Sequence, residues 1–288
     1  MLSHSSPVQP PGRIDKRLPE PAVNRFSAMA FNPFAKLRKT FTRLGGSVTK
    51  RVLARRHRVV HLGRTVFTLR NFGHMTRMRA ETFSTKEPET IAWIDGFAAH
   101  AKLLDIGANV GVYSLYAGLK GHEVRCIEPD ALNFALLNLN IADNGLGGRV
   151  IAYPFSIHSE SKVAELNVGE YRWGGARSSF DRNVNWKGEV LGEGFSQGSP
   201  GITVDDFVAK TGFVPDHIKI DVDGNELLVL QGARSTLSNP QCRSILVEMF
   251  DRHEEYRACL DIIEASGFRP ADQGDRAAGK AKNYIFTK

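Results

Sequence analysis

The chain has 288 residues, 42 % hydrophobic and 24 % charged, which is enough apolar surface for a sizeable core and excludes collagen-like or wholly disordered classes. No run approaches the roughly 18 apolar residues of a membrane-spanning helix, no secretory-type apolar core opens the chain, and three cysteines (Cys126, Cys242, Cys259) suit neither a disulfide framework nor a metal knuckle, which reads as reduced thiols in a cytoplasmic protein. The net charge of +7 is uneven: residues 1–80 hold 17 Lys/Arg against two acids, a balance of +15, and residues 81–288 carry −8.

Residues 1–58 form a basic arm. Its first 30 residues are polar and Pro-rich without hydrophobic period and read as disordered, with Met29 as an alternative start. Between residues 32 and 58, Phe34, Leu37, Phe41 and Leu44 recur at helical spacing among Lys36, Arg38, Lys39 and Arg43. Such a helix can lie peripherally on an anionic inner membrane, each cation adding about 1 kcal/mol. The other readings are a stripe docked on the body and attraction to nucleic acid.

Residues 59–100 predict a hairpin and a capping helix. Val59, Val60, Leu62, Val66, Phe67 and Leu69 alternate around Gly63-Arg64, and Glu87-Pro88-Glu89 opens a short helix through Ile91, Trp93 and Phe97. Residues 101–288 then alternate strand and helix. Strands are predicted at 102–106, 123–127, from 150, and at 218–222, 244–250 and 284–287. Helices are predicted at 112–119, 131–142, 204–210, 226–237 and 254–266, and the polar stretch 156–200 reads as hairpins and a loop. This is an α/β fold: a mostly parallel sheet with helices on both faces.

The first strand of this series runs into Asp105-Ile106-Gly107-Ala108-Asn109-Val110-Gly111 and then the first helix. Gly107 admits a close ligand, and Gly111 lets the helix pack tightly. Seventeen residues after Gly111 the second strand ends at Glu128-Pro129, where a carboxylate can accept both ribose hydroxyls. A dinucleotide site wants G-x-G-x-x-G to meet a pyrophosphate. Here the spacing is D-x-G-x-x-x-G, and the acid suits a cationic ligand without phosphate, namely S-adenosylmethionine.

These residues, together with Thr203-Val204-Asp205-Asp206-Phe207, Lys219-Ile220-Asp221-Val222-Asp223-Gly224-Asn225-Glu226-Leu227, Leu230-Gln231-Gly232-Ala233 and Val247-Glu248, resemble the FkbM family of S-adenosylmethionine-dependent methyltransferases. The resemblance covers roughly residues 80–288. It implies the class I methyltransferase (Rossmann-like) fold, with a seven-stranded sheet whose final strand is antiparallel, and methylation of a hydroxyl on a saccharide or secondary metabolite. Where the family pattern usually has Glu, this chain has Asp223.

Asp105 and Asn109 are expected at the methionine end of the cofactor and Glu128 on its ribose. Phe155 and Ser156 stand where adenine would be sandwiched, an ordinary core Phe being the other reading. Catalytic candidates, in order, are Asp221, Glu248 and His253, at or past the carboxyl ends of the fourth and fifth strands. His217 enters at the opposite end and reads as structural. Asn225 and Asp223 are placed to cap the helix that follows. No spacing demands a metal, although Asp221, Asp223 and Glu248 could together hold a divalent cation. Aromatic, Arg and Gly residues at 170–180 suit a sugar ring or an anionic acceptor, or a plain surface hairpin, and the loop on to Gly201 is long enough for a lid. The rival functions are an RNA or protein methyltransferase using the arm, against which the absence of proline after Asp221 speaks, and a non-catalytic, membrane-recruited cofactor-binding protein. The expected partner is a small-molecule or glycan acceptor rather than nucleic acid.

Overall fold

A computed structural model describes residues 57–183, 187, 189, 190, 194–273 and 281–288. The chain divides into residues 1–48 and 49–288, and every described residue belongs to the second unit. The segment read from sequence as disordered and the amphipathic helix and membrane contact expected at 32–58 therefore lie outside the described residues, apart from His57 and Arg58, which begin a strand.

Strand β1 (His57–Leu62) pairs antiparallel with β2 (Thr65–Arg70), as the alternation predicted. Two helices follow, α1 (His74–Lys86) and α2 (Pro88–Asp95, with Pro in its first turn). Helix α1 was not expected. It buries Thr76, Ala80 and Phe83, a helical spacing in which only Phe83 is large and apolar, so no stripe announces it.

The alternating region gives β3 (Lys102–Ile106), α3 (Val112–Leu119), β4 (Glu123–Ile127), α4 (Ala131–Asp143) and β5 (Val150–Tyr153). After an inserted sheet come α5 (Val204–Thr211), β10 (His217–Ile220), α6 (Glu226–Gln231), α7 (Arg234–Ser238), β11 (Ser244–Met249), α8 (Tyr256–Ala265), β12 (Arg269–Gln273) and β13 (Lys282–Thr287). The insert itself holds β6 (Ser156–Ile157), β7 (Lys162–Val168), β8 (Ser178–Phe180) and β9 (Phe195–Ile202), in the order β6-β9-β7-β8.

The main sheet runs β12-β13-β11-β10-β3-β4-β5, parallel throughout its centre, with β13 antiparallel to both neighbours. This is the Rossmann-like class I methyltransferase arrangement. Helices cover both faces. One core gathers Phe67, Phe83, Leu115 and Leu137 around α1–α4, and the other gathers Phe207, Leu230, Leu237 and Ile263 around α5–α8.

Two predictions fail locally. The single helix at 226–237 is two, parted at Gly232, where a Cβ would collide with the carbonyl of His158. Neither Asp223 nor Asn225 caps α6 by a side-chain bond; Asn225 instead donates Nδ2 to the carbonyl of Phe180 at 3.1 Å, tying the insert to the main sheet. His217 is structural as expected, stacked 3.7 Å from Phe97 and bonded to Ser244 at 2.7 Å.

Candidate active site

Strand order reverses between β3 and β10, and a cleft of about 840 Å³, open solvent at its mouth included, opens beyond their carboxyl ends. The β3–α3 turn makes its floor. Gly107 has φ 84°, and a Cβ there would strike the carbonyl oxygen of Asp221, so only glycine lets this turn meet the end of β10. Asn109 (φ 52°) and Asp223 (φ 56°) also line the cleft, and Arg177 (φ 64°) stands in sequence between the lining residues Ala176 and Ser178; all three are left-handed without being glycine. Backbone strain of this kind concentrates where surrounding bonds over-determine it. Here the Asn109 amide donates to Glu128 Oε2 at 2.7 Å, and the Arg177 amide donates to Asp223 Oδ2 at 2.7 Å.

At the β4 end, Glu128 is 6 % exposed. Its other oxygen accepts the Asp130 amide at 2.9 Å, so each oxygen keeps a lone pair. Burial pushes this carboxyl up to about 8, the amide bonds offsetting only part of the cost. Ile127, Pro129, Ile157, Leu166 and Phe180 make this end of the cleft apolar.

At the β10 end, Lys219, 2 % exposed, donates Nζ to Asp221 Oδ2 at 2.7 Å and lies 5.4 Å from the Tyr113 ring. Burial alone would raise the Asp221 carboxyl; Lys219 against it reverses this and holds it well below the usual carboxylate range. Burial, then the Asp221 charge beside it, pushes Asp223 up to about 6. Glu248, from β11, lines the same wall of the cleft and also favours the ionised form of Asp221.

A strap crosses above. Gly175 O accepts Nδ2 of Asn109 at 2.6 Å and of Asn133 at 3.1 Å, Arg79 Nε donates to Gly174 O at 3.0 Å, and Trp173 stacks on Phe72 at 5.1 Å. Among the described residues no group of three or more His, Cys, Asp or Glu is arranged to hold a metal.

Residues 105–270, more than half of the chain, match the model of the methyltransferase FkbM domain. The chain belongs to that family. The cofactor of this FkbM-family domain is accordingly S-adenosylmethionine, and the cleft fits it: a buried carboxyl with two spare lone pairs for a diol, an apolar end for a purine, and acids for cationic centres. A curated relative, "31-O-demethyl-FK506 methyltransferase FkbM" from Streptomyces tacrolimicus, is 24 % identical over 60 % of this chain and 74 % of its own length. Among solved structures, a SAM-dependent methyltransferase from Agrobacterium tumefaciens has a TM-score of 0.46 at 12 % identity, covering 81 % of this chain and 70 % of that one. Magnesium protoporphyrin IX methyltransferase from Synechocystis PCC 6803 has a TM-score of 0.42 at 12 % identity, covering 91 % and 100 %.

Of the expected site residues, the FkbM-family cleft brings together Gly107, Asn109, Glu128, Ser156, Asp221 and Glu248. Asp105 lies beneath it, 1 % exposed, with Oδ2 accepting Ser114 Oγ at 2.6 Å and Oδ1 without a hydrogen-bond partner among the described residues. Gly111 sits where a Cβ would strike Leu137, serving helix packing rather than the cleft. Phe155 is packed with Tyr153 and Phe207, because its position directs it into the core on the α5 face; Phe180, from the insert, is the aromatic residue lining the cleft. His253 borders a smaller neighbouring cavity with Glu226, Phe250 and Tyr256, and Glu248 borders both.

Sequence reasoning reached Phe180 only as one of the residues at 170–180 suited to an acceptor, and it gave no site role to Arg79, Lys86, Asn133 or Lys219. Only Lys219 left a signal: it is a charge inside a strand whose four residues are all buried, which demands a partner.

Proposed function

We propose that this FkbM-family chain is an O-methyltransferase acting on a hydroxyl of a saccharide or secondary metabolite. The observation carrying this reading is the pairing of Asp221, held ionised, with Asp223, whose carboxyl is raised, on one wall of the cleft. An alkyl hydroxyl must lose a proton as it attacks, so it needs such a group. The curated relative supports an oxygen acceptor, since its name describes a substrate lacking an O-methyl group.

S-adenosylmethionine, when bound, supplies an electrophilic methyl group on a sulfonium. The chain's own residues do the rest. Glu128 accepts the ribose hydroxyls through the lone pairs its amide partners leave. Asp221, made a weak base by Lys219, accepts a hydrogen bond from the acceptor hydroxyl and offsets nearby positive charge. Asp223 takes the proton: its raised value of about 6 lies near working pH, where a general base is most effective and worth about 10²–10⁴-fold. Glu248 steadies Asp221, and His253 stands outside this chemistry. Positioning by the strap and the β3–α3 turn aligns the acceptor oxygen with the methyl carbon.

The test is transfer of a labelled methyl group to a panel of sugars, polyols, amines and thiols. Labelled hydroxyl products, nearly lost in Asp223→Asn, support the reading. Acceptance of amines or thiols alone, or an unaffected Asp223→Asn, overturns it.

A further inference from the structure

The charges of the cleft are sorted by origin. Its carboxyls, Glu128, Asp221, Asp223 and Glu248, all come from strand ends of the main sheet or from the residues just past them. The Lys and Arg side chains lining it, Arg79 and Lys86, both come from α1, which precedes the segment matched by the family model. A ligand with cationic centres suits the first set. The same ligand's methionine tail ends in a carboxylate, and that group needs the second.

The two cations of α1 are not equivalent. Lys86 is 47 % exposed and engaged by Glu87 at 2.8 Å. Arg79 is half-buried, and its Nε donates to Gly174 O at 3.0 Å, which fixes the plane of the guanidinium against the strap. Its two Nη groups have no hydrogen-bond partner among the described residues, so a fork of donors is left facing the cleft. It lines the same cleft as Glu128 and Asp223 and favours the ionised form of both.

We propose that Arg79 binds the α-carboxylate of the cofactor's methionine tail through its two Nη groups. This rests on the cofactor reading above and adds to it a residue from outside the family core. Planar, two-point recognition of a carboxylate is what a guanidinium does better than an ammonium. The arrangement also links cofactor and roof: the side chain that grips the tail is the one that holds Gly174, so a filled cleft and a seated strap favour each other.

The experiment is calorimetric titration with S-adenosylhomocysteine and with its decarboxylated analogue, which keeps the amine and lacks only the carboxylate. Wild type, Arg79→Met, Arg79→Lys and Lys86→Met are compared by the ratio of the two affinities. Loosening of the strap weakens both ligands and cancels in that ratio. The wild type should prefer S-adenosylhomocysteine by about 10- to 100-fold. Arg79→Met should bring the preference to within about threefold, Arg79→Lys to an intermediate value, and Lys86→Met should leave most of it. If Arg79→Met does not fold, Arg79→Lys carries the comparison. An unchanged ratio in the Arg79 variants overturns the proposal and turns Arg79 toward an anionic group on the acceptor. A collapse confined to Lys86→Met, or no wild-type preference, overturns it equally. If the wild type binds neither compound, the cofactor reading itself falls.

Discussion

Glu128 and Asp221 are both carboxyls just past the ends of central strands, yet the two ends of the cleft treat them oppositely. Glu128 is buried with two amide donors and, among the described residues, no ion-pair partner, and its ionisation is resisted. Asp221 is fixed as an anion by Lys219. One end holds a conditional charge that a ligand's hydroxyl groups can draw out; the other holds a standing charge that is there before any ligand arrives. The residue type does not decide this. The cation delivered by the neighbouring strand position does.

Lys219→Met should break the contrast most severely. It strands Asp221 without its buried cation and should cost about 3–5 kcal/mol, read as a lowered denaturation midpoint. Adding Asp221→Asn should recover part of the loss. A stable single variant would mean that water, not Lys219, balances the anion.

Next in size, Asp223→Asn should slow methyl transfer by about 10²–10⁴-fold while S-adenosylhomocysteine affinity stays within about threefold. In the wild type, kcat/KM should rise with pH through about 6 and then level, because the base works only when deprotonated. A profile flat across that range would remove Asp223 from the chemistry.

A subtler effect belongs to Glu128. If the ribose is held by the ionised carboxylate, a group protonated below about 8 in the empty cleft must lose its proton on binding. S-adenosylhomocysteine affinity should therefore tighten as pH rises toward 8 and plateau above it, with proton release measurable in buffers of different ionisation enthalpy. Glu128→Gln should weaken binding and flatten the profile. The smallest effect separates two phenylalanines. Phe180→Leu should weaken S-adenosylhomocysteine several-fold, whereas Phe155→Leu should leave it unchanged and cost under about 1.5 kcal/mol of stability.

The same contrast explains what could be read in advance. The run from Asp105 to Gly111 and the Glu128-Pro129 step are local, and their spacing alone puts a turn and a carboxylate at adjoining strand ends. Asp221 was legible as the residue that ends an apolar strand. Arg79 and Asn133 were not, since they converge from α1 and α4, and such neighbours in space leave no spacing in sequence; Phe180, from the insert, was legible only as part of the aromatic stretch at 170–180. Helix α1 was hidden because it docks through one large apolar side chain. Phe155 misled because one residue along a strand end turns a side chain from the cleft, where Ser156 lies, into the core.

Calorimetric titration of the wild-type chain with S-adenosylhomocysteine, repeated with NAD and with Glu128→Gln, bears most directly on the claim that this cleft is built for S-adenosylmethionine. The account predicts one-to-one binding of S-adenosylhomocysteine, no binding of NAD, and clear weakening in Glu128→Gln. Uptake of NAD without S-adenosylhomocysteine, or indifference to Glu128→Gln, would contradict it.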